Sequence, residues 1–274
     1  VFFYNLRQYF VLFIISWVCA KSSGLALRGA RWPLSSFNLE AEIIKLYGFG
    51  PFLGTPDASP FVIKTMLLLK FAGLPFQGIE GNPFNGPHRF LPYIDDEGEK
   101  VPDSSLIRLH LERKYRHDFD AGLNAWEKAV TWSVERMCED HLYFAMLAER
   151  WLDSANFRQG LGRHMFGGLP LALRPLAKIY LKRMNAKRLM GQGLGRHLRS
   201  DIIALAARDI EALAALIGGK PYLMGDRPCG ADAFVFAIIT SIATPPLNTP
   251  LRDAMTRHEN LIAYRDRITA QYFS

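Results

Sequence analysis

Strand signal stops near residue 115, and that asymmetry limits the fold of this chain more than any other feature of it. Between Glu42 and Tyr115 short β-like runs alternate with helical stretches, whereas from Trp126 onward apolar residues recur at helical spacing with almost no strand-like run. This order predicts a small mixed sheet carrying helices, followed by an all-helical region. The expected limits are 42–115 for the α/β part, 116–124 for a polar linker containing Gly122, and 125–274 for the helical part.

Within the first part, Ile43-Ile44-Lys45-Leu46-Tyr47 has strand composition and Gly48 to Ala58 is a Gly/Pro-rich loop. Ser59-Pro60 then opens a helix, with Ser at the cap, Pro in the first turn, and Val62, Ile63, Met66, Leu67 and Leu69 in its apolar rows. Gly73 closes it, and Leu74-Pro75-Phe76 leads into a second strand through Ile79. Leu91-Pro92 precedes a third strand at Tyr93-Ile94, Asp95 to Lys100 is a turn-rich stretch centred on Gly98, and Asp103 opens a helix over Ser104 to Tyr115. A proline just before a strand is one of the few places where a cis peptide is expected. A helix start presents unpaired N–H groups and a positive dipole end to an anion. Together these features suggest a peptide-like anionic ligand held between a loop backbone and a helix N-terminus. In the second part the periodicity predicts helices over 125–151, 171–189, 199–217, 231–242 and 261–273, with the glycine-interrupted middle the least regular.

The 274 residues, 49% hydrophobic and 22% charged, have the composition of a soluble globular protein with a full core. Cys19, Cys138 and Cys229 are far apart and lack Cys-x-x-Cys or metal-ligand spacing, so a reducing compartment without a structural disulfide or zinc site is expected. Glu135, Glu139, Asp140 and His141 lie together on a helix with Arg136, a spacing that intrahelical pairs explain, and no metal is assigned. The apolar run 9–20 is too short to span a bilayer. Residues 1–41 are therefore expected to be a disordered or spurious extension, a membrane-directed or export leader, or a helix packed on the body. The formal charge of +7 is uneven: Arg158, Arg163, Arg174, Lys178, Lys182, Arg183, Lys187, Arg188, Arg196 and Arg199 occur with no Asp or Glu between 158 and 199. That segment is either a solvated helix face or one drawn to anionic ligands or an anionic membrane surface. No nucleic-acid-binding motif accompanies it.

Leu46-Tyr47, Ser59-Pro60-Phe61, Leu91-Pro92, Asp103-Ser104 and Pro228-Cys229-Gly230-Ala231-Asp232 are, in order and spacing, similar to the segments of the glutathione transferase superfamily. The resemblance covers about 43–273 and implies a thioredoxin-like N-terminal domain (βαβ-ββα) followed by an all-α C-terminal domain. Within the superfamily, Ala58 to Lys64, Gly191 to His197 and Lys220 to Asp226 resemble the branch of failed-axon-connections and metaxin-like proteins and their bacterial relatives.

Glutathione carries a thiol and two carboxylates, and only the thiolate is a good nucleophile. Lowering a thiol pKa from ~8.5 by ~2 units requires about 2.7 kcal/mol of preferential interaction with the anion. One hydroxyl hydrogen bond and a helix N-terminus supply that order of energy. The resemblance implies Ser59 as the hydroxyl, with Tyr47 as the competing donor and Val62 where thioredoxins carry a second cysteine. It also implies that Leu91, before a cis Pro92, pairs its backbone with the cysteinyl part, and that Asp103 and Ser104 hold the γ-glutamyl amine and carboxylate. Arg196 and His197 are candidates for contact with a second substrate, and Asp232 for capping the helix that follows it. The implied activity is conjugation of glutathione, as co-substrate, to an apolar electrophile by a cytoplasmic homodimer. The alternative is a transferase-shaped binding or membrane-import module.

Overall fold

The computed structural model of the protein describes residues 43–166 and 169–273, so the stretch 1–41 and Cys19 lie outside the described residues. Strands β1 (Ile44–Gly48), β2 (Phe76–Glu80), β3 (Tyr93–Asp96) and β4 (Glu99–Pro102) form one sheet in the order β2-β1-β3-β4. Helix α1 (Pro60–Phe71) is the crossover between the parallel pair β1 and β2. The antiparallel β3–β4 hairpin turns at Glu97-Gly98, both at positive φ, and feeds α2 (Ser104–Tyr115). This is the βαβ-ββα arrangement expected for 42–115.

The helical part follows the 116–124 connection. Helix α3 (Ala125–Met137) begins with a reciprocal box in which Asn124 and Glu127 cap each other's backbone N–H. It runs through a π turn (Cys138–Leu142) into α4 (Tyr143–Trp151), so the expected helix over 125–151 is continuous but contains one widened turn. Two short helices, α5 (Ser154–Gln159) and α6 (Leu161–His164), lie in the glycine-interrupted stretch where no helix was expected. Their length is too small for a periodicity to register. Helix α7 (Arg174–Gln192) stops at Gly193 (φ 110°) and is followed by α8 (Arg199–Ile217), α9 (Gly230–Ala243), α10 (Pro250–Thr256) and α11 (Glu259–Tyr272). Helix α10, also short, was likewise not foreseen.

Two helices form the centre. All fourteen residues of α9 are buried, and nine of the twelve in α1 are, which explains why neither reads as strongly amphipathic: apolar neighbours surround them on all sides. They pack on each other, with the Phe61 ring 5.1 Å from Phe234 and 4.8 Å from Tyr143. The start of α9 is held by Asp232, as expected. Its buried carboxylate accepts from the N–H of Cys229 (2.8 Å), the N–H of Leu223 (2.8 Å) and the Tyr264 hydroxyl (2.7 Å).

Candidate functional site

Alternation along β1 decides which residues can meet. A Cβ added at Gly48 would lie 2.6 Å from Asp57 Oδ2 and 2.7 Å from Val62 Cγ1, so the 44, 46, 48 face looks toward α1. Tyr47 therefore looks away from α1. Its ring stacks on Tyr93 with centroids 4.2 Å apart, next to Gly81 and Leu91.

Ser59 stands at the N-cap of α1 in extended conformation, and its hydroxyl makes no capping hydrogen bond. The capping preference of serine is thus unspent: the side chain has no partner among the described residues. Position is secured through the backbone instead, because the Ser59 N–H donates to Asp57 Oδ1 at 2.8 Å. Asp57 Oδ2 accepts from Phe49 (2.9 Å) and Gly50 (2.8 Å), tying the loop after β1 to the helix start. The loop itself needs glycine at Gly50 and Gly54, both near φ 86°.

Asp57 was not singled out from the sequence, where it is one polar residue in a turn-rich loop. It is buried, and burial outweighs its three backbone donors, pushing the carboxyl up to about 7. A folded-state value above the ordinary ~3.9 means that the folded protein holds more protons than the unfolded chain between about pH 4 and 7. This contribution to stability is complete below pH 4 and is lost as pH rises toward 7. Urea unfolding of the wild type and of Asp57→Asn is expected to show this fall in the wild type alone; equal pH slopes would refute it.

A second unforeseen group is Arg150 of α4. Its buried guanidinium donates to Ala58 O (3.3 Å) and Ser241 O (2.5 Å) and stands over the Phe52 ring, with no carboxylate partner among the described residues. Burial pulls its pKa down to about 10, which leaves it charged at neutral pH. A positive charge thus rests on the carbonyl immediately before Ser59.

The second helix start adjoins the first. Lys64, one turn into α1, donates to the Ser105 hydroxyl at 3.1 Å, so the first turns of α1 and α2 lie side by side. Ser104 is buried with its hydroxyl unpartnered among the described residues. Asp103 is exposed and caps α2, Oδ1 accepting from Ser105 (2.8 Å) and Leu106 (3.4 Å), while Oδ2 remains available. The Asp103 backbone has φ 65° and ψ 130°, a strained conformation for a residue with a Cβ, held by its N–H bond to Pro92 O at 3.1 Å. Leu91–Pro92 is cis, and the Leu91 N–H and C=O make no backbone hydrogen bond to a described residue. Arrayed around the two helix starts are therefore two free hydroxyls, one free carboxylate oxygen and an unpaired peptide edge. The arrangement offers donors to a carboxylate and a thiolate, and acceptors to an ammonium.

Arg196 and His197 do not join this group. They are exposed in the turn between α7 and α8, and neither side chain bonds a described residue. Glu135 and Glu139, read from the sequence as solvated intrahelical partners, are instead buried and face Lys64 Nζ at 2.6 Å each. Arg108 extends the cluster to Glu135 (3.2 Å) and Asp120 (2.6 Å), and Arg136 pairs with Glu139. The signal in the sequence was a lysine with apolar neighbours on every side of its helix. Among the described residues no three His, Cys, Asp or Glu side chains are grouped to hold a metal ion.

Comparison with known proteins agrees with this fold. Sequence models of the glutathione S-transferase N-terminal and C-terminal domains match residues 60–156 and 206–268. An isoprene-epoxide glutathione S-transferase of Rhodococcus is 31% identical over 239 residues, 84% of this chain and 99% of that protein. Failed axon connections of Drosophila melanogaster is 28% identical over 93% of this chain, which spans 65% of that protein's length. The mitochondrial outer membrane import protein metaxin of Arabidopsis thaliana is 22% identical over 85% of this chain and 74% of its own. Among solved structures, a glutathione transferase from Phanerochaete chrysosporium superposes with a TM-score of 0.58 at 20% identity, covering 85% of this chain and 98% of that one.

Proposed function

Starting from the fact that the chain belongs to the glutathione S-transferase family, we propose that it conjugates the thiolate of glutathione to an apolar electrophile. The observation that carries this reading is the unspent Ser59 hydroxyl at the start of α1, beside a buried guanidinium and a second helix N-terminus. Ser59 donates its hydroxyl hydrogen to the sulfur, and the positive ends of the two helices together with Arg150 favour the anion. Leu91 pairs its backbone with the cysteinyl unit. Ser104 donates to the γ-glutamyl carboxylate, and Asp103 Oδ2 accepts from the ammonium. Tyr47, turned to the other face of the sheet, does not reach the sulfur. The transferred thiolate then attacks an electrophilic carbon, forming the C–S bond while the leaving oxygen or halide takes the electron pair. A small epoxide is the electrophile class favoured by the Rhodococcus relative's name.

Calorimetry with glutathione tests the binding half. A hydrogen bond to a charged group contributes about 1.5–3 kcal/mol, so Ser104→Ala is expected to weaken glutathione binding roughly 10- to 100-fold. Unchanged affinity would remove Ser104 from the site. If the wild type does not bind glutathione at all, the alternative of a non-catalytic binding or import module, suggested by the metaxin and failed-axon-connections relatives, takes its place.

The homodimer is proposed to form through the outer face of α2 and α3. Leu106, Leu109, Trp126 and Trp132 are exposed there, and Leu109 and Trp132 line a cleft of about 250 Å³. Sedimentation is expected to give twice the chain mass, and Leu109→Asp to give the monomer.

A further inference from the structure

We propose that the outward face of α7 is a docking surface for an anionic lipid bilayer, on which the helix lies flat. The observations are independent of the glutathione site. Leu176, Ile179, Tyr180, Met184 and Met190 fall within an arc of about 140° at 3.6 residues per turn, and all five are exposed on the side away from the buried Asn185 and Leu189. A surface helix of a globular protein ordinarily turns such a stripe inward. Leu171, just before the helix, is 77% exposed and continues the patch.

Charge on and around this stripe has one sign. Arg183 and Lys187 are exposed among the apolar residues and make no ion pair with a described residue. Lys178 and Lys182 lie on the inner side of the helix, half-buried, with their ammonium groups over the Phe166 and Phe157 rings at 5.6 and 5.0 Å. No Asp or Glu occurs between Asp153 and Asp201. Carboxylates on neighbouring elements have partners of their own: Glu149 and Asp153 pair with Arg199 at 2.8 and 3.4 Å, and Asp140, beside the end of α7, pairs with Arg136 at 3.7 Å.

Large flexible apolar side chains and unpaired cations on a single convex helix match a bilayer interface, where the apolar groups enter the acyl boundary and the long basic chains reach back to lipid phosphates. Nucleic acid would satisfy the cations but leave the apolar stripe in water. At nineteen residues the helix is about 28 Å long, and among the described residues no helix is long and apolar enough to cross a membrane, so the contact is in the plane.

Flotation of the full chain with vesicles tests this. Binding is expected to vesicles of phosphatidylcholine with phosphatidylserine, to be absent with phosphatidylcholine alone, and to fall at high salt. Removing both charges by Arg183→Gln with Lys187→Gln is expected to weaken it roughly 30-fold, at about fivefold per cation. Leu176→Ser with Ile179→Ser is expected to weaken it by at least tenfold. The loss caused by α7 substitutions is the readout, so binding through any other segment does not count in favour. All these positions are exposed, and far-ultraviolet circular dichroism should be unchanged; glutathione turnover is also unaffected. Vesicle binding that is indifferent to both pairs of substitutions overturns the proposal. So does a wild type that ignores vesicles and self-associates until Leu176→Ser with Ile179→Ser disperses it, because a second copy then covers the stripe.

Discussion

Ser59→Ala is expected to lower kcat for conjugation roughly 10- to 30-fold while leaving glutathione affinity within about fivefold. The reason is that the hydroxyl interacts with the sulfur chiefly when it is an anion, so its loss acts on the thiolate population and the transition state more than on uniform binding. Of the ~2.7 kcal/mol that separates a thiol titrating near 6.5 from one near 8.5, the hydroxyl supplies roughly 1.5–2 kcal/mol and the helix N-termini with Arg150 the remainder, and the hydroxyl's share is the factor of roughly 10 to 30. The bound thiol, followed by thiolate absorbance, is expected to titrate closer to its free value in the variant, and turnover to recover partly as pH rises toward 9. Folding should be nearly unaffected, because this serine does not spend its hydroxyl on capping α1. Tyr47→Phe is the control. Its hydroxyl has no partner among the described residues and lies on the sheet face away from α1, so kcat should stay within about twofold. A collapse of turnover in Tyr47→Phe with normal activity in Ser59→Ala would reverse the assignment.

Lys64→Met is expected to destabilise the folded protein by about 3 kcal/mol at pH 7. Lys64 is fully buried between Glu135 and Glu139, and removing one partner of a buried ion pair leaves charge without compensation, at a typical cost of about 3–5 kcal/mol. The lower end applies because Arg108 and Arg136 still reach those carboxylates. Burial already pushes Glu139 above its ordinary value, with Lys64 pulling it back, so the substitution lets Glu139 rise further. Folded-state values above the unfolded ones favour the protonated fold at low pH. The deficit of Lys64→Met should therefore be largest near pH 7 and smaller at mildly acid pH, as Glu139 takes up its proton. Denaturant unfolding at the two pH values measures it, and an equal deficit at both would show that carboxylate charge is not the cause. Since Lys64 joins α1 to α2 and α3, the same variant is expected to loosen the two helix starts and weaken glutathione binding.

What was legible in the sequence follows the length and regularity of each signal. The strand–helix–strand–hairpin order, the helix start at Ser59-Pro60, the closing Gly73 and the helix over 199–217 were readable because local pattern and tertiary burial agree there. Helices α5, α6 and α10 span too few residues to establish a period, and the π turn at 138–142 is invisible to one. The same distinction divides the site. Leu91-Pro92, Asp103-Ser104 and Ser59-Pro60 announce themselves through turn and cap chemistry that neighbours in sequence can supply. Asp57 and Arg150 do not: Asp57 is set apart by its burial and by N–H partners in an irregular loop that has no period, and Arg150 by an acceptor 92 positions away at Ala58.

The amino-acid sequence alone determined the order of elements, the positions of the two helix starts and the identity of the hydroxyls at them, since these depend on backbone preferences within a few residues. Tertiary structure alone decided which groups are free to act. Whether Ser59 caps its helix, which side of the sheet Tyr47 faces, whether Glu135 and Glu139 meet water or Lys64, and whether the apolar stripe of α7 is covered all depend on what packs against them. Burial and pairing are properties of segments brought together from distant parts of the chain, and no local pattern encodes them.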